Sequence, residues 1–401
     1  MIGILFWLCV LGFFYIYAGY PLVLALLARL RLKPRPYSPY FPTVTLLIAA
    51  YNEQEVIAAK LENSLSLDYP SDSLQILVAA DGSDDHTADI VRSFAERGVD
   101  LNYEPARRGK MAAINRAMPL VRGEIIVFSD ANNFYEPQTL RELVKPFAEA
   151  RVGAAAGSKR VLAEGSALGE ADSLYWRYES FIKKQETRLG SCTGVSGEVF
   201  AIRRNLFTPP PAAVINDDFF LALSILRSGY RIVYVPEACS REPVAPDEQA
   251  EIVRRTRIIA GRYQILGMSL GKLPYNKPLL VWQIVSHKFM RPLAPFFMLG
   301  AMLTSLASLI WVSSPGIFPL LSLAPPYHWI ILGLQVIFYF AAWLGKHLKV
   351  KGILGKLLYL PTFLFNSNYA ALLGLVGYLT GRNSVVWQKA PRRGYNSDVS
   401  R

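Results

Sequence analysis

No charged residue occurs between Ile2 and Ala28. A helix of about 20 apolar residues crosses the hydrocarbon core of a bilayer, so this stretch is long enough to span one. A cleaved signal peptide would carry its basic residues before the apolar run, whereas here they begin at Arg29 and follow it. The pattern therefore predicts a transmembrane helix within residues 1–32, and the positive-inside bias places the chain that follows it in the cytoplasm.

Further charge-free stretches lie at 292–312, 329–345 and 357–380. Pro361 interrupts the last stretch and basic residues follow it, so the positive-inside rule favours a broken or re-entrant segment over a simple crossing. Ahead of these stretches, bulky apolar residues mix with basic ones as in an interfacial helix, although a frayed start of the span fits nearly as well. The predicted organisation is an N-terminal transmembrane helix (1–32), a cytosolic domain (40–270), an interfacial amphipathic helix (277–291), a C-terminal transmembrane region of two or three segments (292–381) and a basic tail (382–401).

The composition agrees with a multi-pass protein of the cell (inner) membrane, with the lipid bilayer as a partner. The formal charge is +12, yet 52% of the residues are hydrophobic, only 18% are charged, and the mean hydropathy is +0.23. Such a chain is too apolar to be disordered or to be a soluble protein that binds nucleic acid through a basic coat. Three widely spaced cysteines, Cys9, Cys192 and Cys239, form no zinc-binding pattern and indicate a reducing compartment.

Apolar runs and helical patterns alternate in the polar middle of the chain. Strict alternation of strands and helices predicts an α/β fold with a parallel, doubly wound sheet. In such a sheet, ligands bind at the carboxyl ends of the strands. The predicted strands are 43–50, 74–80, 99–103 and 124–129, and the predicted helices are 53–67, 85–97 and 110–121.

Polar residues follow three of these strands at the point where each strand ends. Tyr51, Asn52 and Glu53 follow the first strand, Asp81 follows the second, and Asp130 follows the strand at 124–129. Their convergence predicts a binding site at the carboxyl edge of the sheet. No GxGxxG motif and no P-loop lysine motif follows any strand, so those two ways of holding phosphate are excluded. A phosphate group would have to be held by a metal and by basic side chains.

These residues, in their order and spacing, resemble the inverting glycosyltransferase family 2. The likeness extends from about residue 42 to 262 and is greatest to the membrane-embedded branch of hyaluronan, chitin-oligosaccharide, cellulose and poly-N-acetylglucosamine synthases. It implies a GT-A type, Rossmann-like nucleotide-sugar domain flanked by transmembrane helices. The signals are weak singly and strong together: Ala50-Tyr51-Asn52-Glu53, Asp81-Gly82-Ser83, Gly109-Lys110 with Ala113 and Asn115, Ser129-Asp130-Ala131-Asn132, Asn216-Asp217-Asp218, and Arg254-x-x-Arg257-Ile258.

The resemblance implies that Asp81 reads the nucleotide base, because a carboxylate accepts a hydrogen bond from the imide N–H of uracil. A UDP-sugar donor follows, with Tyr51, Asn52 and Glu53 in the same donor site. The alternative for this segment is a plain turn in which a neighbouring aspartate caps the next helix. Lys110, preceded by a glycine that lets the backbone approach a ligand, is a further donor-binding candidate.

Asp130 corresponds to the first aspartate of the family's Asp-x-Asp motif, which holds a divalent cation against the diphosphate. The implied cofactor is Mg²⁺ or Mn²⁺. The third position here is Asn132, so a neutral amide replaces one anionic ligand and metal binding is expected to depend more on Asp130. The alternative is a strand end followed by a turn-forming asparagine.

Asp218 corresponds to the last aspartate of the family's Thr-Glu-Asp motif and is the candidate general base. A carboxylate beside the acceptor hydroxyl can take its proton while the oxygen attacks the anomeric carbon and inverts it. The alternative for Asp217 and Asp218 is capping of the helix that follows, which suits one of the two.

Arg254 and Arg257 correspond to the family's Gln-x-x-Arg-Trp motif and are candidates for clamping the departing diphosphate. Ile258 stands where the family has the tryptophan that lies beside the acceptor sugar, so processive polymerisation is in doubt. The alternative for this basic helix, above all for Arg255, is contact with anionic lipid headgroups.

A helix predicted at 172–186 and the loop that follows it resemble the family's acceptor site. Trp176 on that helix, Gly194 and Gly197 in the loop, and Ile258 are the acceptor-binding candidates, with plain packing as the equal alternative.

The leading hypothesis is an inverting hexosyltransferase that moves a sugar from a UDP-sugar to a growing polysaccharide or oligosaccharide, with translocation through the spans as an option. A first alternative is non-processive transfer to a lipid or polyprenyl-phosphate acceptor. A second is a catalytically silent sugar-nucleotide-binding scaffold. A transporter is excluded because the apolar stretches contain no charged residue that could mark an ion path. The sugar, the linkage and the need for an accessory subunit are left open.

Overall fold

The chain divides into two compact units. Among the described residues, the α/β unit comprises Leu27–Ala250 and Gln264–Val281, and the helical unit comprises Met1–Leu26, Glu251–Tyr263 and the chain from Trp282 to residue 381. The predicted basic tail at 382–401 lies outside the described residues. The computed structural model describes residues 1–31, 37–162, 167–211, 213–243, 248–269, 273–312, 318–348 and 352–381.

The α/β unit is built on one eight-stranded sheet with the order β3-β2-β1-β4-β7-β6-β8-β5. The first four strands in this order are parallel to one another. Beyond β4 the sheet is mixed, since β7 runs antiparallel to β4 and β6, while β6 and β8 are parallel. The strands are β1 (Val44–Ala50), β2 (Leu74–Asp81), β3 (Val99–Glu104), β4 (Ile125–Asp130), β5 (Phe134–Tyr135), β6 (Val152–Leu162), β7 (Phe200–Arg203) and β8 (Arg231–Pro243).

The parallel half of the sheet confirms the predicted α/β fold. Its central strands are buried on both faces, which is why β1 and β2 read as nearly continuous apolar runs. Leu46 and Ile48 of β1, Val78 of β2 and Val127 of β4 are all within the core. In register, Ala49 of β1 pairs with Asp130 of β4, so the polar residues that follow these strands share one edge of the sheet.

Helices pack on the sheet between the strands, and they match the three predicted helices with shorter bounds. The predicted helix at 172–186 is longer in the structure. The helices of the α/β unit are α3 (Ile57–Leu65), α4 (Thr87–Ser93), α5 (Lys110–Ala117), α6 (Thr139–Val144), α7 (Ala167–Leu189) and α8 (Asp217–Arg227), with short 3-10 turns at Ser71–Ser73, Ala95–Arg97, Met118–Leu120, Lys145–Ala148, Gly197–Val199 and Arg204–Leu206.

Apolar helices make up most of the helical unit. Within the described residues, three helical stretches are long and apolar enough to cross a membrane, namely Ile2–Arg29, Pro278–Ile310 and Tyr327–His347. The helices outside the α/β unit's set are α1 (Ile2–Phe14), α2 (Tyr20–Arg29), α9 (Glu248–Ser269), α10 (Pro278–Ile284), α11 (Ala294–Ile310), α12 (Pro319–Ser322), α13 (Tyr327–His347) and α14 (Gly352–Leu379), with π-helical turns at Tyr15–Gly19 and Val285–Phe289 and a 3-10 turn at Arg291–Leu293.

The C-terminal helices differ from expectation in two places. Helical turns connect α10 to α11, so the segment predicted as a separate interfacial helix at 277–291 continues into the second candidate span. The segment predicted to be broken at Pro361 is instead the continuous helix α14. Two polar side chains of α14 bond to the backbone of the same helix: Thr362 Oγ1 donates to the Leu358 carbonyl at 2.8 Å, and Asn368 Nδ2 donates to the Leu364 carbonyl at 2.8 Å.

Candidate active site

The loops that follow β1 and β2 are bound to each other at the carboxyl edge of the sheet. Asn52 has a left-handed backbone conformation with φ 53°, and its N–H donates to Ser83 Oγ at 3.1 Å. Its side-chain amide donates to Asp84 Oδ1 at 2.5 Å and accepts the Asp84 N–H at 3.1 Å. The N–H of Glu53, whose side chain is buried, donates to Thr87 Oγ1 at 2.7 Å. The donor-binding candidates Asn52 and Glu53 therefore join these two loops.

Asp81 organises the loop that leads into α5. Its buried carboxylate accepts the backbone N–H of Arg108 at 2.9 Å and that of Gly109 at 2.6 Å. Gly82 and Gly109 have φ values of 67° and 94°, and a side chain on Gly82 would lie 2.7 Å from the Arg107 backbone nitrogen. The missing side chain thus permits the close approach of the two loops. A carboxylate has about four lone-pair sites, so Asp81 can accept one further hydrogen bond from a bound base.

Tyr51, another donor-binding candidate, contacts the same loop. The guanidinium carbon of Arg107 lies 3.7 Å from the centre of the Tyr51 ring. Stacking of this kind fixes a planar cation over an aromatic face. The pair therefore connects the end of β1 to the loop that Asp81 holds.

Alanine in place of Asp81 is expected to raise the dissociation constant of the nucleoside diphosphate at least about 10-fold, because two backbone N–H groups lose a charged acceptor worth about 1.5–3 kcal/mol each. The loop before Lys110 would then no longer be held in place. Isothermal titration calorimetry on the full chain in detergent measures the change. Asp89→Ala, which removes an exposed carboxylate on α4, is the control and should leave the constant unchanged. Equal affinities in the two variants would remove Asp81 from the donor site.

Lys110 and Asp130 form an ion pair between the start of α5 and the end of β4. Lys110 Nζ lies 2.7 Å from Asp130 Oδ1, and the two side chains are 24% and 30% exposed. Burial by itself would raise the pKa of Asp130, but the ammonium group of Lys110, followed by those of Lys159 and Lys60, lowers it below its usual range. Asp130 is therefore an anion near neutral pH, as a metal ligand must be.

Lys110 also links this ion pair to the first turn of α8. Burial would lower the pKa of its ammonium group, but the carboxylates of Asp130, Asp217 and Asp218 raise it above the usual value. The carboxylates of α8 therefore act on the same ammonium group that pairs with Asp130. The structure thus brings together the sequence candidates Lys110, Asp130 and Asp218.

The donor atoms around Asp130 suit a hard divalent cation. Asn132 Nδ2 donates to Glu242 Oε1 at 3.2 Å, so the atom that Asn132 can offer to a cation is its amide oxygen. Within the described residues, no group of three His, Cys, Asp or Glu side chains is placed to hold a metal. One carboxylate and one amide oxygen, completed by substrate phosphates, form the kind of oxygen set that Mg²⁺ accepts. Asp130 and Asn132 therefore fit a cation that is bound together with a diphosphate.

Lys60, on α3, is a residue of this site that the sequence analysis missed. Its side chain is fully buried, and its ammonium group donates to Ser129 Oγ at 2.8 Å and to the Asn133 carbonyl at 2.5 Å. It also lies 4.4 Å from the centre of the Tyr135 ring. Burial lowers the pKa of Lys60 to about 7, against the opposing effect of Asp130. Lys60 therefore fixes both ends of the turn that carries Asp130 and Asn132.

The free energy of unfolding is expected to depend on the protonation of Lys60. Its pKa falls from 10.5 to about 7 on folding, so below pH 7 the folded protein bears the full cost of burying the charge. As the pH rises from about 7 toward 10, the unfolded chain retains a proton that the folded protein has released, and stability increases by up to about 1.4 kcal/mol per pH unit. Thermal unfolding of wild type and Lys60→Met across this range tests the prediction, since only the wild type should gain this stability. Parallel pH profiles would contradict it.

Of the acceptor-binding candidates, Gly197 and Trp176 have surroundings that suit a ligand. A Cβ atom on Gly197 would lie 3.4 Å from the Asp218 Cβ, so its absence leaves room beside the candidate base. The ammonium groups of Lys159 and Lys183 lie 5.2 Å and 5.7 Å from the centre of the Trp176 ring. Within the described part of the chain, the buried Trp176 Nε1–H has no hydrogen-bond partner. A sugar hydroxyl could accept from it.

Gly194, the remaining candidate in this loop, has a packing contact instead. The Cys192 thiol donates to the Gly194 carbonyl at 3.0 Å. The loop is held on both sides, because Thr193 N–H donates to the buried Glu186 carboxylate at 2.8 Å and Lys183 Nζ donates to Ser196 Oγ at 3.1 Å. These contacts fix the backbone around Gly197.

The diphosphate-clamp candidates Arg254 and Arg257 lie on α9 and belong, with Ile258, to the helical unit. The Arg254 guanidinium is engaged by the buried Glu251 carboxylate through two bonds of 2.8 Å. The Arg255 side chain is 16% exposed and bonds Glu251 at 2.5 Å and Ser367 Oγ at 2.8 Å. Arg255 thus has polar partners within the protein, whereas contact with lipid headgroups stays a prediction.

Comparisons with known proteins identify the family to which the chain belongs. Residues 42–261 match the family described as glycosyltransferase like family 2. The chain is 27% identical over 204 residues to poly-beta-1,6-N-acetyl-D-glucosamine synthase of Staphylococcus aureus (49% of this chain, 48% of the relative). It is 28% identical over 242 residues to the probable glycosyltransferase YdaM of Bacillus subtilis (56% of each). The match thus spans about half the length of these curated relatives.

The fold is also found among solved structures. The mannosyltransferase PcManGT from Pyrobaculum calidifontis, solved in complex with GDP-Man and Mn²⁺, aligns with a TM-score of 0.72 over 95% of this chain and 100% of that one, at 23% identity. An identity this low supports a shared GT-A-like fold, with the mixed eight-stranded sheet described above. The family match covers more than half of the chain. The protein therefore belongs to glycosyltransferase family 2.

Proposed function

We propose that the protein is an inverting membrane enzyme that transfers a sugar from a UDP-sugar to a hydroxyl group of a growing polysaccharide or oligosaccharide. The observation that supports this best is the Lys110–Asp130 ion pair within electrostatic reach of Asp218. The site combines an ammonium group and a cation ligand, which together can offset the charge of a diphosphate, with a carboxylate that can act as a base. A silent sugar-nucleotide-binding scaffold has no chemical need for that combination.

In the proposed reaction, Asp218 accepts the proton of the acceptor hydroxyl while its oxygen attacks the anomeric carbon of the donor. The new C–O bond forms on the face opposite the nucleoside diphosphate, whose own bond to the anomeric carbon breaks, so the configuration inverts. Lys110 offsets the negative charge that develops on the leaving diphosphate. Mg²⁺ or Mn²⁺ held by Asp130 and Asn132 would supply further positive charge to the same diphosphate.

The choice of uridine depends on the family resemblance and on Asp81. The Asp81 carboxylate has lone pairs beyond those used by Arg108 and Gly109. Guanine also presents a ring N–H to a carboxylate, and the solved structure of PcManGT contains GDP-Man. GDP-mannose is therefore the competing donor that the experiment includes.

A second candidate is single transfer to a lipid or polyprenyl-phosphate acceptor. The observation that favours it is Ile258, which stands where the resemblance implies an aromatic residue against the acceptor sugar. A branched aliphatic side chain offers no flat face on which a sugar ring can stack. In both candidates the three apolar stretches embed the enzyme in the cell membrane, with the α/β unit on the cytoplasmic side.

The test is nucleotide release by the full chain in detergent with Mn²⁺ or Mg²⁺. The donors are UDP-glucose, UDP-N-acetylglucosamine, UDP-glucuronate and GDP-mannose, each with and without added membrane lipid. Metal-dependent release from one UDP-sugar, with a long product of inverted configuration by NMR, supports the first candidate, and a single added sugar supports the second. Release from GDP-mannose alone overturns the uridine assignment. No release from any donor, with a family 2 enzyme of known activity as the positive control, counts against both.

A further inference from the structure

We propose that Lys110 and the divalent cation compete for Asp130, so that the donor-free protein binds the cation weakly and the donor diphosphate relieves the competition by engaging Lys110. This inference rests on the proposed nucleoside-diphosphate site. It goes beyond that site by assigning Lys110 the control of when the cation binds. Metal affinity is then coupled to donor binding through one side chain.

The Asp130 carboxylate, which would be the strongest ligand of a cation, is already paired with Lys110. Lys110 Nζ lies 2.7 Å from Asp130 Oδ1, while Mg²⁺ binds an oxygen ligand at about 2.0–2.1 Å. An ammonium group and a divalent cation on one carboxylate would repel each other at close range. Binding of the cation alone must therefore displace Lys110 or bear that repulsion.

Lys110 has little freedom to withdraw as long as no other anion is present. Its backbone begins α5 directly after Gly109, and the loop before it is held by two bonds to the Asp81 carboxylate. Its side chain is only 24% exposed, so moving the ammonium group into water is opposed by its packing as well as by Asp130. A bound diphosphate supplies a new anionic partner within the same site. With the diphosphate bound, Lys110 no longer needs Asp130 as its anionic partner.

The other groups around Asp130 also weaken the binding of a cation without a diphosphate. Asn132 offers a neutral oxygen, and the described residues contain no cluster of three His, Cys, Asp or Glu side chains that could strengthen the site. Besides Lys110, the ammonium groups of Lys60 and Lys159 also act on Asp130. Positive charge near Asp130 weakens its attraction for a lone dication, whereas a dication that arrives with a diphosphate brings compensating negative charge.

The test is Mn²⁺ binding to the full chain in detergent, measured by electron paramagnetic resonance without nucleotide and with UDP or GDP. Without nucleotide, Lys110→Met is expected to bind Mn²⁺ about 10-fold more tightly than the wild type, since the competing charge is gone. UDP should tighten Mn²⁺ binding about 10-fold in the wild type and much less in Lys110→Met. Lys110→Arg keeps the charge and should stay close to the wild type without nucleotide.

Two controls make the result specific. Lys145→Met removes a lysine from a comparable ion pair with Glu142, whose two side chains are 33% and 22% exposed, and should leave Mn²⁺ affinity unchanged. Asp130→Asn should abolish the tight site in the Lys110→Met background, which identifies the ligand. Thermal unfolding of each variant checks that it is folded.

Donor-free Mn²⁺ affinity that is equal in wild type and Lys110→Met overturns the proposal, as does Lys110→Arg behaving like Lys110→Met. Failure of the proposed function looks different. If neither UDP nor GDP changes Mn²⁺ binding in any variant, the nucleoside-diphosphate site is wrong. The donor-free comparison still decides whether Lys110 and the cation compete.

Discussion

Asparagine in place of Asp218 is expected to lower the rate of sugar transfer about 10²- to 10⁴-fold, because the amide cannot take the proton of the acceptor hydroxyl. The donor dissociation constant should stay within about 3-fold of the wild-type value, since the substitution preserves the shape of the side chain. Single-turnover transfer with radiolabelled donor measures the first quantity, and calorimetry with the nucleoside diphosphate measures the second. A base that acts only in the transition state produces this split between rate and binding.

The adjacent carboxylate supplies a matched control. Asp217 and Asp218 both lie in the first turn of α8, where the helix dipole stabilises negative charge, and both act on Lys110. The three atoms nearest to a Cβ on Gly197 belong to Asp218, so the space that this glycine leaves for an acceptor adjoins the Asp218 side chain. Asp217→Asn should therefore reduce transfer by less than about 10-fold. The reverse order of effects would reassign the base to Asp217.

The parallel half of the fold and the edge that carries the site could be predicted from the sequence. Strands buried on both faces must be apolar throughout, so β1, β2 and β4 stand out from the amphipathic helices between them. Polar residues directly after such strands then mark the carboxyl edge, which is how Asp81 and Asp130 were found. The ion pair between Lys110 and Asp130 joins two of the predicted residues, although their contact was not itself predicted.

The other half of the sheet could not be predicted in the same way. β5 has two residues and β7 has four, which is too few to show a hydrophobic periodicity. Both strands pair with strands that are distant in the sequence. Lys60 was missed because a lysine is ordinarily assigned to a solvated face. Its position next to Leu61 and three residues after Ile57, on the apolar face of α3, was the available signal.

Alanine in place of Asp130 is expected to lower transfer at least about 10³-fold, through loss of the only carboxylate among the proposed cation ligands. The donor-free protein should remain folded, because the carboxylates of Asp217 and Asp218 still act on Lys110 when Asp130 is removed. Without Asp130 to hold the cation, nucleoside-diphosphate binding should also become nearly independent of Mn²⁺.

Asn132→Ala is the comparison variant, because it removes a neutral ligand of the proposed cation, whereas Asp130→Ala removes a charged one. Asn132 contributes a neutral oxygen, so its loss should lower transfer only about 10-fold and leave Mn²⁺-dependent donor binding detectable. Transfer rates and calorimetry with and without Mn²⁺ on both variants measure the difference. If Asp130→Ala retained metal-stimulated transfer, the cation would have to be held elsewhere, and the Lys110–Asp130 ion pair would then serve the structure of the edge rather than the chemistry of the diphosphate. The expected order, with Asp130 far more important than Asn132, follows because Asp130 is the charged member of the two proposed cation ligands.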